Sequence, residues 1–452
     1  MKIFDYLTGQ EKGQKEDALA PLSQEHRERR ELMALLWRYY RGQHRKHLRV
    51  SQGQADDNVI VNYSRRVVDK GAYFLFGKDV IFEADGIDEG RLDEDYLAAA
   101  WGGIESKATL LQSIAINGGV CGHAFVRIFP ADSSVPGALP RLVNLDPSAL
   151  DVVTADDDIE DVRGYRVVWK AGDVWKRHSI DQDGQGWMIV EQEGRANSQT
   201  WVTVAEQEWP WDFAPIAACQ NLPNPNQFWG ISDLEEADLN DAINFTASNI
   251  NRILRFHAHP KTIGTGFDAS VLQATAVEQF WTIPNEGSNV FNLEMQSDLA
   301  SSQEFLSFLK TAYSKVTSVP ELDPDQVNVG ALSGFALRIL YGDLLEKTNA
   351  KRNTYGRLLA DINHRMLVIS GSDVEQVKNV WQGPLPDDEV AQTQALAQDR
   401  SVGGLSRETY LERRGYNVER EAKRLAAEEA QTASATDNLG SFLLRSFDRG
   451  ER

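Results

Sequence analysis

The stretch Pro320-Glu-Leu-Asp-Pro-Asp-Gln-Val-Asn-Val-Gly-Ala-Leu-Ser-Gly334, with the proline-free run from Phe335 to Ser370 behind it, decides the architecture. In the run, Leu337, Tyr341, Leu344, Leu345, Thr348, Tyr355, Leu358, Leu359, Ile362 and Met366 recur at three- and four-residue spacings. That is the signature of one helical face. A helix from Phe335 to Gly371 would be roughly 50 Å long at 1.5 Å rise per residue. A small compact domain cannot contain it, so it must cross between layers or belong to something larger than one subunit. The stretch before it holds two prolines and ends Gly-Ala-Leu-Ser-Gly, so it cannot be helical throughout.

Working outward, 452 residues leave room for two to four domains and a substantial core. A content of 42% hydrophobic and 25% charged residues is ordinary for a globular protein. No window approaches eighteen uninterrupted apolar residues, and Met1–Gln10 lacks the apolar core of a signal peptide, so neither a membrane span nor a membrane partner is expected. Cys121 and Cys219 lie far apart and fit no metal spacing; they read as two small buried side chains in a reducing compartment. The net charge of −20 runs opposite to that of proteins that grip nucleic-acid phosphates. Solubility explains it plainly; a surface that must not adhere to DNA explains it more sharply. Composition leaves both open.

Upstream, helical spacing begins near Gln24 and the segment Glu31–Tyr40 stops at Gly42. The basic run Arg41, His44, Arg45, Lys46, His47, Arg49 could meet phosphate, but such runs more often face solvent or pair with acids. Val59–Gly77 reads as a second helix ending at its glycine, with a short strand at Val80–Phe82. Residues 89–117 read as helix, with Asn117-Gly-Gly119 as a breaker. From Val120 the period changes to two. Ala124–Phe129, Arg141–Leu145, Tyr165–Trp169, Val174–His178, Trp187–Val190 and Trp201–Val204 alternate or run apolar, so residues 120–220 read as an antiparallel β domain. Asp181-Gln-Asp-Gly184 and Glu191-Gln-Glu-Gly194 read as turns, and Pro210–Pro225 as an extended exit segment. The first turn lacks the further carboxylates of a calcium loop.

Ser232-Asp-Leu-Glu235 has the capping-box pattern and opens a helix lined by Leu239, Ile243, Ile250, Ile253 and Leu254. Acids lead it (Asp233, Glu235, Glu236, Asp238, Asp241) and bases trail (Arg252, Arg255), which suits the helix dipole. Pro260 ends it. A small α/β insert follows: strand near Lys261–Gly264, helix near Ser270–Gln279, strands near Phe280–Ile283 and Asn289–Leu293. A helix over Gln303–Thr317 then leads into Pro320. Beyond Gly371 come an edge strand (Val374–Trp381), helix over Glu389–Asp399, a Ser-capped start in Gly403–Leu411, a charged helix over Val418–Thr432 and a polar tail. Lys347, Lys351 and Arg352 on the long helix could face DNA or pair with acids of a neighbouring copy; pairing is favoured, since Asp343 and Glu346 lie on the same helix and repeat on each neighbour.

No nucleotide-cradling Gly-x-x-x-x-Gly-Lys-Ser/Thr, His-Glu-x-x-His or Gly-x-Ser-x-Gly occurs. Gly264-Thr-Gly266 is a lone Gly-x-Gly, and His257 and His259 have no third ligand nearby. The expectation is therefore no catalytic residue, no metal and no cofactor.

The order of elements, with Tyr39-Tyr-Arg-Gly42, Asn62, Val67–Gly77, Pro223-Asn-Pro-Asn, Gly230–Glu235, Asp241-Ala-Ile-Asn244, Leu332–Leu337 and Gly404–Thr409, resembles the phage portal protein family, in its siphophage-like branch. The resemblance spans roughly residues 30–430. It implies an α+β, mainly helical fold assembled as a ring, commonly of twelve copies, at one capsid vertex. Residues 1–230 would form the wing, 231–258 and 296–319 the stem helices, 259–295 the clip, 320–334 a tunnel loop, 335–371 the long wing helix, and 372–452 the crown and tail. Glu321, Asp323, Asp325, Val327, Val329 and Leu332 would line or narrow the channel. Asp238, Asp241, Arg252 and Arg255 would mark the stem.

The implied partners are further copies of the chain, the large-subunit terminase motor, a head-tail connector, capsid and scaffolding protein, and double-stranded DNA that slides through unread. The implied place is the virion, after assembly in the host cytoplasm. Twelve copies at −20 carry about −240 of formal charge, and an acidic tunnel repels phosphate. Another virion component, a connector or minor head protein, is the alternative.

Overall fold

The computed structural model describes residues 24–50, 56–84, 89–131, 134–135, 137–184, 186–195, 201–258, 261–265, 287, 289–293, 299–321, 334–372, 377–385, 396–404, 406 and 409–410. They fall in two units, residues 1–384 and 385–452.

In the first unit, helix α1 (Gln24–Tyr40) is followed by Gly42 at φ +77°. Helix α2 (Tyr63–Phe76) starts later than its apolar pattern suggests. Asn62 accepts the Arg65 N–H at 3.0 Å and so caps the first turn, which leaves residues 56–62 outside the helix. Strand β1 (Val80–Ala84) pairs antiparallel with the distant β12 (Val377–Trp381).

The helix expected over 89–117 is two helices, α3 (Glu89–Ala100) and α4 (Gly103–Cys121), parted at Gly102 and Gly103, both at positive φ. The expected breaker at Asn117–Gly119 does not break. Those glycines lie inside α4 because neighbours press on them. A Cβ at Gly118 would overlap the Tyr355 hydroxyl, and one at Gly119 would stand 2.9 Å from the Asp233 carboxylate.

The β region forms two antiparallel sheets, with strands β2 (His123–Phe129), β3 (Arg141–Leu145), β4 (Leu150–Thr154), β5 (Val162–Ala171), β6 (Val174–Asp183), β7 (Gly186–Arg195), β8 (Val202–Trp209) and β9 (Ile216–Gln220). Three are ordered β3-β2-β9 and five β4-β5-β6-β7-β8. Of the turn expected at Asp181–Gly184, Asp181–Asp183 are strand, paired with β7, and Gly184 alone is turn, at φ +63°. The turn expected at Glu191–Gly194 is strand: those residues pair with β6, and Glu191–Glu193 also with β8. Gly194 serves there as clearance for the Trp201 ring, 3.2 Å from where its Cβ would be.

Helix α5 (Ala237–Ala258) leads to strands β10 (Lys261–Thr265) and β11 (Asn289–Leu293), which pair antiparallel, and helix α6 (Leu299–Thr317) returns. The insert's expected helix at Ser270–Gln279 and strand at Phe280–Ile283 lie outside the described residues, as do His259 and the helix over Val418–Thr432.

The long helix is interrupted. Helix α7 (Gly334–Leu340) and helix α8 (Gly342–Ser370) meet at Tyr341, whose ring packs 5.3 Å from Phe74 and which precedes a poor helix former, Gly342. Helix α8 alone is about 44 Å long from its 29 residues. It ends at Gly371, φ +86°, whose N–H reaches back to the last turn. Tyr355, Leu358, Leu359, Ile362, Met366 and Leu367 are buried in one core with α2, α3, α4, β1, β2 and β12. This core is the frame on which α5 and α6 are mounted.

In the second unit, residues 396–401 are helical. The Ser406 hydroxyl accepts the Thr409 N–H at 3.1 Å, as expected of a Ser-capped start.

Candidate functional site

Both helices of the α5–α6 hairpin are fastened to α8 at one buried charge cluster. Asp233, in the turn just before α5, is paired through Oδ2 with Lys351 Nζ at 2.5 Å and through Oδ1 with Lys347 Nζ at 3.0 Å. Lys347 also donates to the Thr317 carbonyl, the last of α6, at 3.2 Å, where the helix dipole favours a cation. Lys351 is 2% exposed and Asp233 6%. Burial pushes the Asp233 carboxyl up, but the two ammonium groups outweigh it and hold it below the usual range. Burial lowers the Lys351 ammonium, with Asp233 opposing.

Lys347 and Lys351 therefore pair within the chain, not with a neighbour as expected. Arg352 likewise donates to the Gln382 carbonyl at 2.5 Å. The expected capping box is not formed either. The Ser232 hydroxyl donates toward the Gly119 and Val120 carbonyls and accepts the Leu234 N–H, tying the turn to the end of α4, while Glu235 stays exposed.

A second fastening was not foreseen. Asn240, Asn244 and Ser248 are buried on one stripe of α5 and bind the extended segment before α2. Asn240 Oδ1 accepts the Ser64 N–H at 3.0 Å, Asn244 Oδ1 the Val61 N–H at 2.9 Å and Ser248 Oγ the Val59 N–H at 2.9 Å. Asn240 donates to the Val61 carbonyl and Asn251 to the Asp57 carbonyl. Four side chains on one helix thus satisfy a stretch of backbone that no strand pairs. The signal in the sequence is the i, i+4, i+8 spacing of 240, 244 and 248, which apolar periodicity overlooks.

The expected stem residues divide. Asp238 is exposed. Asp241 is 5% exposed, accepts the Tyr39 hydroxyl at 2.5 Å, and lies 3.6 Å from His44 and 4.0 Å from His47. Burial and that bond raise the Tyr39 phenol far above its ordinary value. Arg252 and Arg255 both reach the buried Asp57 carboxylate, at 3.2 and 2.7 Å. Asp233 and Asp241 thus face the interior of the chain. The acids that α5 and its leading turn leave exposed are Glu235, Glu236 and Asp238.

Of the basic run, Lys46 pairs with Asp56 at 2.6 Å and His44 and His47 approach Asp241, so at these positions it meets acids. Glu321 is exposed and pairs with Lys310 at 3.3 Å. Asp323, Asp325, Val327, Val329 and Leu332 lie outside the described residues. Cys121 and Cys219 are free and buried, as the sequence suggests, and burial pushes both thiols up.

Among what this frame leaves uncovered are large apolar side chains. On α6, Phe305, Phe308 and Val316 are 52%, 64% and 52% exposed, with the two phenyl rings stacked at 6.3 Å. On α5, Phe245 and Leu254 are exposed as well. The family described as phage portal protein, SPP1 Gp6-like, matches residues 19–435.

The chain belongs to the phage portal protein family. A portal protein is a structural component of the virion that forms the channel at a capsid vertex. No curated protein matches the chain. Among the solved structures that match are two from gene transfer agent particles. One is the virion of a native gene transfer agent particle, with 15% identity and a TM-score of 0.46 over 85% of this chain and 93% of the other. The other is the neck of an empty gene transfer agent particle, with 16% identity and a TM-score of 0.46 over 82% and 96%.

Proposed function

We propose that this portal protein works as a ring of identical copies, commonly twelve, in which α5 and α6 are the stem, the insert between them is the clip, and α8 crosses the wing. Residues 1–230 complete the wing, residues 320–334 are a tunnel loop facing the lumen, and residues 372–452 form the crown and tail. The observation that carries this is the pair of stacked phenyl rings and the other exposed apolar residues on α5 and α6. A folded chain whose core is otherwise well covered leaves such faces bare for another protein surface.

The clip docks the large-subunit terminase motor during packaging and a head-tail connector afterwards, with capsid and scaffolding protein around the wing. The ring assembles in the host cytoplasm and stays in the virion. Double-stranded DNA passes without being read, because a net charge of −20 per copy repels phosphate. The chain contributes no catalytic group, and the motor supplies the energy. Electron microscopy of the purified chain tests the reading. A ring with a central hole supports it, and monomers at micromolar concentration would sink it.

A further inference from the structure

Helix α2 carries a cationic face that no carboxylate among the described residues neutralises. Arg65 is paired with Asp69 at 3.2 Å, and Asp69 also accepts the Tyr40 hydroxyl at 2.8 Å, so that corner is balanced. Arg66 and Lys70 are different. Among the described residues Arg66 donates to the Pro320 carbonyl, at 3.4 Å, and Lys70 sits 5.2 and 5.4 Å from the Phe74 and Tyr341 rings. Among the described residues neither meets a carboxylate within ion-pair range. Burial and the neighbouring Arg66 lower the Lys70 ammonium, with no acid opposing. Both line an open concavity with Asn62, Arg65, Asp69 and the half-exposed Tyr73.

The turn at the head of α5 is the mirror case. Glu235, Glu236 and Asp238 are exposed and, among the described residues, none meets a base. Burial, Asp238 and Glu235 raise the Glu236 carboxyl. Helix α5 turns its buried stripe, Asn240 and Asn244, toward Ser64 and the segment before α2. Asp238 lies on the side of α5 away from that stripe, and Lys70 on a side of α2 away from Ser64. Opposite charges on separate exposed patches fit a head-to-tail contact, in which one patch of each copy meets the other patch of the next.

We propose that the Arg66–Lys70 face of α2 docks against the Glu235, Glu236 and Asp238 turn of a second copy of this chain. The inference rests on the ring reading and assigns a polar contact within it. It also gives a role to two cations that, among the described residues, meet no carboxylate. The turn is held in place by the buried Asp233 beside it, so the contact would couple each copy's α5 to its neighbour.

Charge reversal tests this on the full-length chain, by native mass spectrometry at fixed salt. R66E/K70E alone, and E235K/E236K/D238K alone, should each weaken ring formation by at least about tenfold, because like charges then face each other. A chain carrying both reversals, or a mixture of the two single-sided variants, should form rings again. A folding failure would show as lost circular dichroism in the single-sided variants, and the restored rings guard against that reading. If the wild-type chain forms no ring, the ring reading itself falls and takes this contact with it. If wild-type rings form and all variants assemble equally, the contact is overturned while the ring stands. If R66E/K70E rings assemble normally but lose salt-dependent binding of a 30-base-pair duplex, the patch meets DNA and the proposal is likewise overturned.

Discussion

The core around α8 and the α5–α6 hairpin are built from similar helices and finished differently. Around α8, a buried charge and a buried hydroxyl find partners within the chain: Asp233 with Lys347 and Lys351, and the Tyr355 hydroxyl with Asn221 at 3.1 Å. The hairpin keeps Phe245, Leu254, Phe305, Phe308 and Val316 about half in solvent. The first region is complete as a monomer. Among the described residues nothing covers the second, and in the proposed ring a neighbouring copy finishes it. Stability should therefore be lost by changes near α8, and assembly by changes on the hairpin.

The sharpest way to break the α8 side is Asp233→Leu. It strands the buried Lys351 without a partner and should cost about 3–5 kcal/mol. Urea unfolding reads this, and adding Lys351→Met should return most of it. If the double variant is no better than the single, the cluster is not what holds the turn.

A smaller effect comes from His123, stacked between Phe125 and Phe228 with neither ring nitrogen bonded. Burial, aided by Arg29, lowers its pKa to about 3. The unfolded chain protonates this ring near pH 6.5 and the folded chain does not. Stability is therefore intact above about pH 6.5 and declines as pH falls toward 3, by on the order of a few kcal/mol. His123→Phe should flatten that part of the pH profile; an unchanged slope would assign it to other groups.

On the hairpin, F305S/F308S should move chain stability by only about 0.5 kcal/mol, since both sites are exposed. The same variant should fail to form rings. A variant that assembles normally would show that the comparison has been drawn at the wrong surface.

Much of the fold was legible because apolar periods of two and 3.6 survive packing: the β region, α5, α6 and the apolar face of α8 all follow from it. The errors share a cause. Glycine reads as punctuation, yet Gly118, Gly119 and Gly194 are clearances for Tyr355, Asp233 and Trp201, which lie far away in the chain or across a loop. Lys347 and Lys351 read as surface charges because nothing local says that Asp233, over a hundred residues earlier, will be buried against them. The Asn240, Asn244, Ser248 stripe was visible but is polar, and a search for apolar faces passes over it. The family, in contrast, was readable from the order of its parts, since that order tolerates errors in any single element.

Thiol labelling gives the most direct test that copies of this chain complete the hairpin. Cys121 and Cys219 are buried and free, so V316C places one reactive thiol on the exposed face of α6. Dispersed chains should label rapidly at that position, and assembled rings should be strongly protected there. Equal labelling rates in the two states would mean that no neighbour covers this face, and would contradict the account.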